Sequence, residues 1–113
     1  MIAPTAIIRG CGMAFGIPMV DVEGTTGYYN SNLNNKALKA IDKITSPDYD
    51  YGFIHIKAVD DAGHDKSLKI KVEQLEKTDI AIGILLQTLS EKSDNKTQYI
   101  ICVTGDHTTP VIM

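Results

Sequence analysis

Short apolar runs alternate with segments of helical periodicity along this chain, and that alternation most constrains its fold. The apolar runs are rich in β-branched residues and occupy residues 6–8, 19–22, 53–59 and 99–103. Continuous apolar runs of this kind are typical of parallel strands that helices cover on both faces. The order of elements therefore predicts an α/β fold: a mostly parallel sheet of about four strands with helices on both faces.

Two of the intervening segments show clear helical patterns. In the first, four apolar residues recur at steps of four, four and three and would share one helix face: Leu33, Ala37, Ile41 and Ile44. Asn30 or Ser31 is the expected N-cap, and the Ser46-Pro47 pair ends the helix because the residue before proline avoids the α conformation.

The second helical segment is long and covers about residues 66–89. Its apolar residues alternate at steps of four and three, with a polar Asp79 in the gap: Leu68, Val72, Leu75, Ile82, Leu86 and Leu89. This stripe predicts the face that the helix turns toward the core.

Composition narrows the class of protein. The chain has 113 residues, of which 43% are hydrophobic and 22% charged, with a net charge of −3. This suits one globular domain at most, without a nucleic acid or a membrane as partner, because no basic cluster and no run of about 20 apolar residues occurs. Two cysteines, Cys11 and Cys102, are too few for a disulfide framework and predict reduced thiols in a cytoplasmic protein.

Polar residues that can bind metal ions follow the third and fourth predicted strands. Asp60 and His64 come after the third strand, and Asp106 and His107 come after the fourth. The carboxyl ends of parallel strands meet at one edge of a sheet, so the two pairs should lie at the same edge. A helical turn would place Asp60 and His64 on one face, about 6 Å apart along the axis. Mixed carboxylate and imidazole donors suit a divalent ion such as Mn²⁺ or Zn²⁺.

Structural roles remain open alternatives for these residues. An aspartate–histidine pair after a strand also serves as a helix cap or turn-former, and two converging pairs leave the two interpretations about equally weighted. His55, in the middle of the third predicted strand, is expected to be a packed core histidine.

A glycine-rich stretch over residues 10–16 partly matches a dinucleotide-binding turn. Its spacing is Gly-x-Gly-x-x-x-Gly rather than Gly-x-Gly-x-x-Gly, and the next predicted strand begins near Met19. That leaves no room for the helix whose N-terminus would face a pyrophosphate, so the glycines are expected to serve tight turns.

Four motifs, in order, resemble a known family. They are Gly-Thr-Thr-Gly-Tyr at 24–28, His-Ile-Lys-Ala at 55–58, Asp-Asp-Ala-Gly-His-Asp at 60–65 and Thr-Gly-Asp-His-Thr-Thr-Pro at 104–110. From residue 6 to residue 110 the chain is similar to the archaeal type of cofactor-independent phosphoglycerate mutases, in the alkaline phosphatase superfamily of metalloenzymes. The last two motifs carry most of this resemblance.

The resemblance implies an isomerase that interconverts 2- and 3-phosphoglycerate through a phosphoserine intermediate. It also implies two divalent ions, with Mn²⁺ expected and Mg²⁺, Zn²⁺ or Co²⁺ as alternatives. Asp60 and His64 would ligate one ion, and Asp106 and His107 the other. Two such cations would activate a serine hydroxyl and neutralise the transferring phosphoryl group.

We expect residues 1–113 to be the C-terminal segment of an alkaline-phosphatase-like domain, incomplete at both ends. The family's nucleophilic serine, a metal-binding aspartate, a further histidine ligand and the substrate-holding domain have no counterpart here, so no catalytic residue is assigned. The chain alone is predicted to be inert and to bind metal weakly, with the rest of the parent chain as its partner. Two alternatives are a metal-dependent phosphomonoesterase or phosphotransferase of the same superfamily and a non-catalytic nucleotide-binding module.

Overall fold

A computed structural model describes residues 1–112 and contains four helices in that range. They are α1 (Ala6–Ala14), α2 (Leu33–Ile44), α3 (Ala58–His64) and α4 (Leu68–Lys92). The long α4 packs against both α2 and α3. No helix in the described range is both long and apolar enough to cross a membrane. Met113, the last residue of the apolar chain end, lies outside the described residues.

The helix predicted from Leu33 to Ile44 is confirmed as α2, but its cap is Asn32 rather than Asn30 or Ser31. The Asn32 side chain accepts a hydrogen bond from the Asn35 backbone N–H at 2.9 Å. Ser31 is unsuitable because its hydroxyl oxygen already accepts from the Thr26 N–H at 3.1 Å. A carboxamide oxygen that accepts from the third helical residue is the usual solution for an orphan N–H at a helix start.

The long predicted helix is also confirmed, as α4, with shifted ends. Lys66 has a φ of 53°, a left-handed conformation that separates α3 from α4. Ser67 then caps α4, its hydroxyl oxygen accepting from the Ile70 N–H at 3.4 Å. The helix therefore begins at Leu68 and continues to Lys92.

The stripe predicted to face the core on α4 is wrong for most of its residues: Leu68, Val72, Leu75 and Leu86 are all about half exposed or more. Leu89 is the predicted residue that is buried, and Gln74 and Ala81, outside the stripe, are buried as well. The buried set also follows a helical period, because α4 is apolar around much of its circumference. Small Ala81 lets α4 approach Leu33 and Ala37 of α2, which form the core with it, flanked by Ile56, Ile84 and Leu85.

The prediction of a strand at residues 6–8 is wrong, because these residues form the start of α1. A run of only three apolar residues is compatible with either a helix or a strand, so tertiary packing decides. Here the buried Gly12 lets α1 approach Met1 and Met19, whose side-chain tips would lie 2.6 and 2.7 Å from an added Cβ. Of the glycine-rich stretch, only Gly16 (φ 70°) serves a turn, while Gly10 and Gly12 lie inside the helix.

Sheet pairing in residues 1–112 is limited to one parallel bridge, between Ile2 and Ile54. The Ile2 N–H donates to the Phe53 carbonyl at 2.8 Å, and the His55 N–H donates to the Ile2 carbonyl at 2.9 Å. The predicted third strand ends early, since α3 begins at Ala58. Residues 19–22 and 99–103 form no ladder in the described range. The sheet of about four parallel strands therefore stays a prediction.

Candidate metal centre

Helix α3 places the first predicted pair on one face. Asp60 lies in its first turn and His64 at its end, so the i,i+4 spacing brings the side chains together. The Asp60 Oδ1 and the His64 Nε2 are 3.5 Å apart, and the imidazole is largely exposed. The helical turn on which the predicted juxtaposition depended is thus present, although Gly63 lies within it.

Lys57 is a close neighbour of Asp60 that the sequence motifs did not single out. Its ammonium contacts the Asp60 Oδ2 at 2.6 Å and the Asp61 Oδ1 at 2.8 Å. The hydrogen bond from Lys57, and then one from Thr109, lowers the pKa of Asp60 to about 2, and the two carboxylates raise the pKa of Lys57. Asp60 is therefore ionised at neutral pH. The i,i+3 and i,i+4 spacing of Lys57 to the two aspartates is the sequence signal that could have identified it.

The second predicted pair lies on an exposed loop. The His107 Nε2 and the Asp106 Oδ2 are 3.4 Å apart. The Asp106 Oδ1 accepts a hydrogen bond from the His107 backbone N–H at 2.9 Å, which fixes the carboxylate against its own loop. Both side chains are more than half exposed.

Thr109 joins the two pairs. Its hydroxyl donates to the Asp60 Oδ1 at 2.5 Å, and the same oxygen lies 3.3 Å from the His107 Nδ1. The Thr109 backbone is held separately, because the Lys71 ammonium donates to its carbonyl oxygen. Gly63 packs against the same residue, and a Cβ at position 63 would lie 2.5 Å from the Thr109 carbonyl oxygen. The loop at 106–109 is thus seated on α3 and α4, next to Asp60.

His55 lies partly buried in the segment that leads into α3. Its Nδ1 is buried and has no hydrogen-bond partner among the described residues. Burial lowers the pKa of the His55 imidazole, and the nearby ammonium groups of Lys36 and Lys57 lower it further. These properties agree with the expected packed histidine.

The two pairs fit a divalent ion in donor type and spacing. Two ligand atoms at roughly 2.1 Å from one ion, at tetrahedral or octahedral angles, lie about 3.0–3.4 Å apart. The separations of 3.5 Å in the first pair and 3.4 Å in the second are close to that range. Within residues 1–112, however, no three side chains of His, Cys, Asp or Glu form a group that could hold an ion. Each pair therefore brings together two of the predicted ligands and no third one.

Comparison with known proteins agrees with these features. Two curated relatives, both described as "2,3-bisphosphoglycerate-independent phosphoglycerate mutase", come from Pyrococcus abyssi (38% identical) and Pyrococcus horikoshii (39%). Each match covers 105 residues, 93% of this chain. The chain spans 24% of the length of these relatives. The resemblance seen in the motifs is thereby confirmed.

A solved structure of a Pyrococcus horikoshii protein is also similar, with 40% identity and a TM-score of 0.72. That likeness covers 76% of this chain and 26% of the other. The family described as the Metalloenzyme superfamily matches residues 1–113. With that match over its whole length, this chain belongs to the Metalloenzyme superfamily.

Proposed function

We propose that this chain is the C-terminal, metal-holding segment of a 2,3-bisphosphoglycerate-independent phosphoglycerate mutase. The relatives that carry this name support the proposal. The observation that carries it in the structure is the Thr109 hydroxyl, which links Asp60 of one pair to His107 of the other. The reaction is the interconversion of 2- and 3-phosphoglycerate through a phosphoserine, with the rest of the parent chain as partner. A cytoplasmic location follows from that role.

Asp60 and His64 would hold one divalent ion, and Asp106 and His107 the other, with Mn²⁺ as the expected metal. When bound, such ions neutralise charge on a phosphoryl group and lower the pKa of a coordinated hydroxyl. The chain's own residues orient the ligand atoms: α3 aligns Asp60 with His64, and the Lys57 ammonium holds the Asp60 carboxylate through its Oδ2. No serine of this chain is assigned as the nucleophile. Each pair offers a metal ion only two ligands, which is an incomplete site, so the segment alone is expected to be inert.

Metal-dependent phosphomonoester hydrolysis would use the same four donors and is the alternative within the superfamily. The nucleotide-binding module is disfavoured, because Gly10 and Gly12 of the glycine-rich stretch lie inside α1 and not in a turn ahead of it.

Manganese binding by the full chain tests the proposal. Mn²⁺ is paramagnetic, so bound ion broadens nearby proton resonances, and we expect selective broadening of the His64 and His107 ring signals. Asp60→Asn and Asp106→Asn should each weaken this broadening, whereas Asp94→Asn, at the turn beyond α4, should leave it unchanged. Equal broadening of all surface residues would contradict the metal role.

An activity assay is the second test of the proposal. Phosphorus NMR of 2-phosphoglycerate with the chain and Mn²⁺ should show neither the 3-phospho isomer nor inorganic phosphate. Isomer formation by the chain alone would overturn the proposed division of the active site. Release of inorganic phosphate would instead favour the phosphatase alternative.

A further inference from the structure

The contacts of Thr109 determine where the proton sits on the His107 ring. A threonine hydroxyl has one proton to donate, and a carboxylate can only accept. The 2.5 Å contact with the Asp60 Oδ1 therefore uses the Thr109 proton. Toward His107 the Thr109 oxygen can act only as an acceptor, so the Nδ1 that lies 3.3 Å away must carry a hydrogen.

A second contact leads to the same assignment independently. The His107 Nδ1 also lies 3.3 Å from the Thr108 backbone carbonyl oxygen, which is likewise only an acceptor. In the neutral ring, a hydrogen on Nδ1 leaves the lone pair on Nε2. That atom lies 3.4 Å from the Asp106 Oδ2, so in the neutral ring two atoms with lone pairs are neighbours. A cation bound by both atoms would make this arrangement favourable.

We propose that Thr109 is a positioning residue, which holds His107 in the Nδ1–H tautomer and turns its Nε2 lone pair toward Asp106. A histidine that ligates a metal commonly donates its other N–H to an oxygen, which fixes the tautomer and ring orientation. Thr109 does this while it also anchors Asp60, so one hydroxyl aligns a donor of each pair. The use of the lone pair for a metal rests on the proposed function, whereas the tautomer does not.

Thr109→Val is a clean test because the loop backbone does not depend on the hydroxyl. The Lys71 ammonium still reaches the carbonyl oxygen of residue 109, and Gly63 still accepts a β-branched side chain of the same shape. Thr109→Ser restores the hydroxyl. Thr108→Val is the matched control, since that neighbouring side chain is exposed and its carbonyl oxygen is retained.

Long-range proton–nitrogen spectra of the ¹⁵N-labelled full chain, without metal and at a pH where the ring is neutral, report the tautomer directly. We expect His107 to be mainly Nδ1–H in the wild type, in Thr109→Ser and in Thr108→Val. In Thr109→Val only the Thr108 carbonyl contact with Nδ1 remains, so part of the population should shift toward the Nε2–H form, which free histidine prefers in water. An unchanged His107 tautomer in a folded Thr109→Val chain would overturn the proposal.

Manganese titration adds the functional readout. Loss of such a second contact typically weakens metal binding about 10–100-fold, and we expect that loss for Thr109→Val at His107, with recovery in Thr109→Ser. A tautomer change together with no manganese binding by the wild type would support the positioning role and contradict the proposed metal function. Failure of the positioning role and failure of the proposed metal function are thus distinguishable.

Discussion

The Lys36 ammonium on α2 donates a hydrogen bond to the backbone carbonyl of His55 at 2.9 Å, although Lys36 is only 1% exposed. Two residues after His55 the chain reaches Lys57, the N-cap of α3, which contacts Asp60. The bond therefore connects α2 to the segment that leads into α3, which carries the candidate ligands Asp60 and His64. Lys36 is a structural support of the candidate site although it touches none of the four predicted ligands.

Lys36→Met should destabilise the chain by about 1–3 kcal/mol, because it leaves the partly buried His55 carbonyl oxygen without a donor. Urea unfolding followed by circular dichroism measures the change. Lys39→Met on the same helix is the control: Lys39 is partly exposed and pairs with Asp42 at the surface, so its loss should stay within about 0.5 kcal/mol. Equal effects of the two substitutions would show that the buried bond contributes nothing.

The stability difference between wild type and Lys36→Met should also depend on pH. Burial lowers the pKa of Lys36 below its ordinary value of 10.5, so between the lowered pKa and 10.5 the unfolded chain binds more protons than the folded one. Stability contributed by this residue therefore rises with pH through that window. The free energy of unfolding, wild type minus variant, is expected to increase as the pH approaches 10.5. A difference that falls over this range would contradict the assignment.

Gly63→Ala should destabilise the chain and displace the loop at 106–109. An added Cβ would meet the Thr109 carbonyl oxygen at 2.5 Å and its side chain at 2.7 Å, and such overpacking costs about 1–3 kcal/mol. Gly83→Ala on α4 is the matched control, because nothing lies within 4 Å of its added Cβ. There the better helix propensity of alanine should stabilise the chain by up to about 1 kcal/mol. Thermal unfolding and the His107 ring signals check both effects.

Asn32→Ala should cost about 1 kcal/mol, since it removes the side-chain oxygen that accepts from the Asn35 N–H. Asn34→Ala, at the exposed second position of α2, should change stability by less than about 0.5 kcal/mol. Denaturant midpoints of the two variants make the comparison. If Asn32→Ala were as harmless as Asn34→Ala, the cap would not stabilise α2.

Tyr29 should titrate later than an ordinary tyrosine. Its hydroxyl donates to the Asp65 Oδ2 at 2.5 Å, and that hydrogen bond is the main reason that the pKa of Tyr29 is raised to about 12. Because the folded pKa lies above the unfolded one, the stability contributed is complete below pH 10 and is lost as the pH rises toward 12. In an ultraviolet titration, the phenol transition near pH 12 should disappear in Tyr29→Phe and remain in Tyr28→Phe.

Local sequence signals sufficed to predict that α2 and α4 are helices, because a 3.6-residue period and, for α2, a proline stop act within a few positions of one another. The caps Asn32 and Ser67 were not predicted. The same holds for Asp60 and His64, which share a face through helical geometry alone. Residues 6–8 show the limit of such signals. Three apolar residues suit a strand as well as a helix, and the structure places them in α1, which packs through Gly12 against Met1 and Met19.

The long periodic patterns of α2 and α4 were enough to predict helices, and residue type and spacing were enough to nominate four candidate ligands. The packing of the helices was needed to establish which residues of α4 are buried and which residues support those candidates. Thr109 is 49 positions from Asp60, and Lys71 is 38 positions from Thr109. Contacts over such separations depend on how the helices pack, because periodicity and capping describe neighbours along the chain and not neighbours in space.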